Sequence, residues 1–162
     1  MSGFRRGVRL GVDVGKARVG VARCDADGLL AVPVATVSRD AKTIERLRDL
    51  AVEYDAFEVL VGLPISLSGA ETASTADARS VAEDLAATSG LPVRLVDERL
   101  STVSAHAALR ESGRSQRSSR KLVDQVAAVV LLQQAIDVEK STGNPAGSLQ
   151  NPPEPPDARP HV

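Results

Sequence analysis

A lone acid in the middle of an apolar strand constrains this chain more than any other feature of its sequence. The segment Arg9-Leu-Gly-Val-Asp-Val-Gly-Lys-Ala-Arg-Val-Gly-Val-Ala22 reads as two apolar strands joined by a tight turn, with Asp13 set among Val and Leu. A carboxylate entering a half or fully buried strand loses hydration worth several kcal/mol. Either something positive waits there, or Asp13 sits at the exposed end of its strand and caps the turn. Two more acids in equally unfavourable places, Glu98 and Asp124, weigh against the second reading.

The strands around Asp13 follow from local signals. Val8–Val14 and Arg18–Cys24 predict a hairpin turning at Gly15, and Leu29–Val37 continues it after Asp27-Gly28, a dipeptide typical of hairpin turns. The period then changes: Ile44, Leu47, Leu50, Ala51 and Tyr54 recur at helical spacing, predicting an amphipathic helix over 41–54. Phe57–Leu63 is a nearly unbroken apolar run, as in a central strand covered on both faces. A loop rich in Ser and Gly follows Pro64. Ala78, Val81, Ala82 and Leu85 mark a second helix stopped by Gly90 and Pro92. Val93–Val96 is a fifth strand that runs straight into Asp97-Glu98-Arg99.

Ser101 or Thr102 can cap a helix reaching about Glu111, and 112–118 reads as a polar loop. The spacing of Leu122, Val126, Val129, Val130 and Leu132 predicts a long helix over 119–139 with an apolar face wide enough to lie on a sheet. From Lys140 onward the chain holds six of its nine prolines and almost no large apolar side chains. Such a segment buries too little to offset ordering, so 140–162 is expected to be a disordered Pro-rich tail. Strands first and βα units afterwards predict an α/β domain over 1–139: a five-stranded mixed sheet with helices on both faces. A length of 162 residues is about one domain's worth.

Composition narrows the surroundings. One cysteine, Cys24, builds neither an internal disulfide nor a cysteine zinc site, which fits a reducing, cytoplasmic setting; its expected role is a small buried hydrophobe, although an exposed thiol there could link two chains. No stretch approaches the ~20 apolar residues of a membrane span, and no apolar run follows the N-terminal arginines, so neither a membrane partner nor a secretion signal is expected. His106 falls in a predicted helix and His161 in the tail, and neither makes a convincing general base.

Glu98 directly follows a strand and Asp124 lies within the long helix, beside Val123, Val126 and Ala127. Singly, Glu98 could be a surface acid pairing Arg99, and Asp124 could answer the helix N-terminus. Together with Asp13 they suggest a convergent set, because this fold runs the first strand centrally and the last helix across it. Two carboxylates at about 5 Å with an effective dielectric near 20 repel by roughly 3 kcal/mol. A divalent cation would offset that, and oxygen-only ligands suit Mg²⁺ or Mn²⁺, the ions of phosphodiester hydrolysis. A phosphate loop of the Walker type is excluded, since Gly11 to Ala17 is one residue short and ends in Ala where Ser or Thr is required.

Gly11-Val-Asp13-Val-Gly15, Arg18-Val-Gly20-Val-Ala22, Val61-Gly-Leu-Pro64, Val96-Asp-Glu98-Arg-Leu-Ser-Thr102 and Asp124-Gln-Val-Ala-Ala128 together resemble the YqgF/RuvX family, in that family's order, over roughly Val8 to Ile136. The resemblance implies an RNase H-like fold and a Mg²⁺- or Mn²⁺-dependent endonuclease in which Asp13, Glu98 and Asp124 match the metal-binding catalytic acids. It implies 5′-end processing of the 16S rRNA precursor or, with the same chemistry, resolution of four-way DNA junctions. The second role would require a symmetric homodimer, for which the sequence offers no interface. A catalytically silent nucleic-acid-binding module is the competitor from another class. The chain departs from the family at Lys16-Ala17, where Thr-Lys is usual, and at Ile65-Ser-Leu-Ser-Gly69, where Asn and Asp are common.

The net charge of -1 gives no global pull on an anionic partner, but basic residues cluster locally. Arg110, Arg114, Arg117, Arg120 and Lys121 lead into the Asp124 helix, where a phosphate backbone would be directed at the acids; Lys16, Arg18 and Arg99 are further candidates. With only Phe4, Tyr54 and Phe57 as aromatics the chain lacks a stacking platform, so structured RNA or branched DNA would be read by backbone and shape. If the five residues of the 110–121 zone all contact phosphates of a duplex, log K falls against log salt with a slope of about -4 to -5. A filter-binding titration with a slope near zero would remove this zone from the binding surface.

Overall fold

The computed structural model describes residues 3–98 and 116–150, apart from the side chains of 116–123. The helix expected from Ser101 or Thr102, both histidines, Arg99, Arg110, Arg114 and everything after Gln150 lie outside the described residues. Among the described residues nine elements follow in order: β1 (Arg9–Val14), β2 (Arg18–Cys24), β3 (Ala31–Ser38), α1 (Thr43–Glu53), β4 (Glu58–Leu63), α2 (Ala73–Ser89), β5 (Val93–Asp97), α3 (Gln116–Thr142) and β6 (Ser148–Gln150). They form one sheet in the order β3-β2-β1-β4-β5-β6. β1 runs antiparallel to β2 and parallel to β4, so the sheet changes sense at its central strand.

The expected meander is present, as are the helices expected over 41–54, around Ala78–Leu85 and over 119–139. All six residues of β4 are buried, as its continuous apolar run requires. α1 and α2 cover one face, where Leu47, Ala51, Ala78, Val81 and Leu85 pack on Leu10, Val12, Val19, Val21, Val59 and Val61. α3 covers the other, laying Ala128, Leu132, Ala135 and Ile136 on Ala22, Cys24 and Leu60. Cys24 is therefore the small buried hydrophobe expected, and burial pushes its thiol pKa up. Thr72 and Thr75 cap α2 reciprocally, and Gly90, at φ 71°, ends it in the left-handed conformation. No helix of the described residues is long and apolar enough to cross a membrane.

Two expectations are corrected. The sheet has six strands rather than five, and ordered structure continues past residue 139. α3 extends to Thr142, the chain turns back through Gly143 and Gly147 (φ 78° and 70°), Ala146 is buried, and Ser148–Gln150 pairs antiparallel with Val93–Leu95. The compositional reading missed this because a three-residue edge strand needs backbone amides rather than apolar side chains. What it covers is the open hydrogen-bonding edge of β5.

A buried ionic network fixes the end of the sheet where β1 and β4 begin. Arg9 and Glu58 are paired across the two strands, and Glu139 reaches them from α3; the three are 1%, 2% and 2% exposed. Arg9 Nη2 donates to Glu139 Oε2 at 3.0 Å, while Arg5 donates to both carboxylates and Arg94 Nε to Glu58 Oε2 at 3.0 Å. The Arg9 guanidinium lies 4.4 Å from the Phe4 ring and 4.7 Å from Phe57, so these aromatics are engaged with cations. Burial pushes the Glu139 carboxyl upward, but the Arg5 hydrogen bonds and the nearby Arg9 charge prevail and hold it at about 2.

Glu58→Ala leaves Arg9 buried without part of its compensation, and a loss of about 3–5 kcal/mol is expected in urea unfolding. Glu139 has its folded pKa below the usual 4.5, so its contribution is complete above about pH 4.5 and is lost as pH falls towards about 2. Unfolding followed down that range should show a steep loss in the wild type and a shallower one in Glu139→Gln.

Candidate active site

The register of the sheet decides what surrounds Asp13. Asp13 pairs with Gly20 on β2, and Val12 pairs with Val61 on β4, which brings Gly62 to its other side. The carboxylate thus stands in a row between two residues without side chains. Residues paired in register share a face, and side chains two apart on a strand do too. Gly11 shows which face this is: a Cβ there would meet Leu132 and Ala128 of α3. Asp13 points to the α3 side, at the C-terminal end of a strand where the sheet changes sense, the usual place for a site in an open α/β sheet.

The two glycines are where the other acids enter. A Cβ on Gly20 would overlap the backbone carbonyl of Asp124, so α3 touches the sheet at the turn that carries this residue. A Cβ on Gly62 would lie 2.5 Å from Glu98 Oε1 and 2.7 Å from its Cδ, so the Glu98 carboxyl occupies the space that Gly62 leaves. Asp13, Glu98 and Asp124, expected from sequence to converge, are brought to one face and one end of the sheet. Glu98 is 7% exposed, which rules out a plain surface acid. Asp124 stands eight residues after Gln116, where α3 begins, and so lies beyond the reach of the helix terminus.

Neighbouring contacts hold this arrangement. Arg18, the first residue of β2, donates from Nε to Asp124 Oδ2 at 2.8 Å. Gln125 Nε2 donates to Thr36 Oγ1 at 2.9 Å, tying the same turn of α3 to β3. Arg39 donates to the Gly15 carbonyl at 2.8 Å and grips Asp77 with two bonds of 2.8 and 2.9 Å, which clamps the turn after Asp13 to α2. In the sequence Gly20 and Gly62 enter only as members of the motifs that carry the family resemblance, and Arg39 not at all. A glycine inside a strand is a signal of close backbone approach, whereas nothing in the local pattern distinguishes Arg39 from a surface cation.

Side-chain assembly is a separate matter from placement. Among the described residues, no group of three or more His, Cys, Asp or Glu side chains lies in a metal-holding arrangement in this conformation. The donor set nevertheless fits a hard divalent ion in kind, being carboxylate oxygens only, and the Gly62 recess gives the Glu98 carboxyl its room. Of the basic candidates, Lys16 is exposed on the turn beside Asp13 and Arg18 contacts Asp124. Arg117, Arg120 and Lys121 belong to the first turns of α3, their side chains outside the described set, as are Arg99, Arg110 and Arg114 entirely.

The family model described as "RuvX: Holliday junction resolvase" matches residues 7–138. A protein of Clavibacter michiganensis subsp. michiganensis, described as "Putative pre-16S rRNA nuclease", is 54% identical over 149 residues, covering 90% of this chain and 92% of that protein. One of Leifsonia xyli subsp. xyli with the same description is 53% identical over 151 residues, covering 92% and 97%. Among solved structures, Thermus thermophilus RuvC in complex with a Holliday junction substrate matches with a TM-score of 0.52 at 16% identity, covering 86% of this chain and 99% of that one. This last likeness carries the fold, which is RNase H-like as the sequence implied.

The two glycine seats should respond differently to a methyl group. Gly20→Ala meets backbone that cannot rotate away, so a loss of about 1–3 kcal/mol is expected in denaturant unfolding. Gly62→Ala meets only a side chain, so a smaller loss, under about 1 kcal/mol, is expected together with a displaced Glu98 carboxyl in a crystal structure of the variant. The reverse order of stabilities would contradict the placement of α3 given above.

Proposed function

This chain belongs to the RuvX family, and we propose that it is a divalent-metal-dependent endonuclease whose substrate is the 5′ end of the 16S rRNA precursor. Nuclease activity itself accords with the family description and with the relatives' descriptions. The observation that carries the metal-site reading is the row Gly20–Asp13–Gly62, which seats two distant acids on either side of a third. Asp13 and Asp124 would hold the ion and Glu98 would complete its shell. Mg²⁺ or Mn²⁺ bound there supplies an activated water and stabilises charge on the leaving oxygen.

The chain's own residues do the rest. Lys16 and Arg18, next to Asp13, are assigned to the phosphate at the point of cleavage. Arg99, Arg110, Arg114, Arg117, Arg120 and Lys121 are assigned to the backbone on either side, contacts that position a nucleic acid without reading its sequence. Cleavage of precursor rRNA would take place in the cytoplasm. Four-way DNA junctions are the second reading, favoured by the family description. They would require two paired incisions and hence a symmetric homodimer. A silent binding module is disfavoured because all three acids are retained at one place on the sheet.

Asp13→Asn keeps the shape of the side chain and removes its charge. Losing about 3–4 kcal/mol of transition-state stabilisation corresponds to a fall of roughly 10²–10³ in cleavage rate. The 5′-extended rRNA precursor and, separately, a four-way junction should be incubated with Mg²⁺ and each protein. The proposal expects cleavage of the precursor by the wild type alone, with binding kept in the variant; wild-type protein that binds but never cuts would overturn it.

A further inference from the structure

The contact between Arg18 and Asp124 is one that a metal-holding site cannot keep. Arg18 Nε lies 2.8 Å from Asp124 Oδ2, and the two side chains are 27% and 16% exposed. Both ends are fixed by the fold. Arg18 opens β2, where its carbonyl accepts from the Gly15 amide at 2.9 Å, and it stands two residues before Gly20, on which the Asp124 backbone rests. On the other side, Gln125 pins the same turn of α3 to Thr36. A pair held between rigid elements and half removed from water is screened less than an ordinary surface pair and pays less side-chain entropy.

We infer that Arg18 is a built-in counter-ion for Asp124 that a divalent ion must displace, so that the Arg18–Asp124 pair and metal uptake exclude one another. The inference rests on the metal-site reading of the proposed function. An oxygen engaged by a guanidinium is withheld from the ion, and a cation brought onto the same carboxylate repels the guanidinium at short range. This accounts for three acids that the backbone gathers while the side chains stay outside a metal-holding arrangement. Once displaced from Asp124, the Arg18 fork is left beside the ion. A phosphate oxygen of the nucleic acid is the anion it fits next, since the planar fork suits carboxylate and phosphate alike. Arg18 would thus restrain metal loading in the resting protein and bind substrate in the loaded one.

The test titrates Mn²⁺ alone, without nucleic acid, into the full-length wild type, Arg18→Gln and Arg18→Lys by calorimetry, with cleavage measured in parallel. Arg18→Gln is expected to bind Mn²⁺ about tenfold more tightly, the effect of removing a competing partly buried ion pair, and yet to cleave more slowly. Opposite signs in the two readouts are what a merely structural role would not produce. Arg18→Lys, which keeps the charge without the fork, should fall between. Should Arg18→Gln fail to fold, the Nε–Hε resonance of Arg18 in the wild type gives the same answer, because it must move as Mg²⁺ is added. Equal or weaker Mn²⁺ binding by Arg18→Gln, or a resonance indifferent to saturating Mg²⁺, overturns the inference and leaves the metal site standing. No uptake by any of the three proteins overturns both.

Discussion

The long helix α3 can lie on the sheet as it does only because β2 presents no side chain at Gly20. There the backbone carbonyl of Asp124 fills the space where a Cβ would be. Any residue larger than glycine would lift the helix at this turn, and with it Asp124. The same row of the sheet holds Asp13 and, beyond it, the Gly62 recess taken by the Glu98 carboxyl. Three segments widely separated in sequence are thus registered against one another by a single line of paired residues, two of them glycines.

The two ends of the sheet divide the electrostatic work. Where β1 and β4 begin, Arg5, Arg9 and Arg94 surround Glu58 and Glu139, so every buried carboxylate there has guanidinium partners. Such a cluster is costly to break because removing one member strands the others in a low-dielectric place. It anchors α3 through Glu139, the opposite end of the helix from Asp124. At the other end of β1, Arg18 holds Asp124 at the place on the sheet where Asp13 and Glu98 also lie. One end commits its charges to rigidity, while the other holds the acids assigned to the proposed metal site.

Much of this was legible in the sequence, and for identifiable reasons. The hairpin of β1 and β2 declares itself through alternation and a glycine turn, the buried strand β4 through its unbroken apolar run, and α2 through its spacing and its Gly90 stop. Asp13 and Asp124 stood out as acids among apolar neighbours, and Glu98 as an acid directly following a strand. What could not be read was register and long-range contact. The pairing of Asp13 with Gly20 depends on how two strands slide, and the grip of Arg39 on Asp77 joins residues on elements that no local pattern relates. β6 escaped notice because its contribution is made by amides, which composition does not record.

The outer edge opposite β6 bears on how copies of this chain could associate. β3 closes the sheet on that side, carries Pro33 within it, and shifts register against β2 between Val21 and Ala22. A proline supplies no amide hydrogen, and a bulge bends the row of carbonyls and amides out of line. A neighbouring molecule would find no even ladder to extend. Extension of the sheet by another strand at the β3 edge is therefore disfavoured.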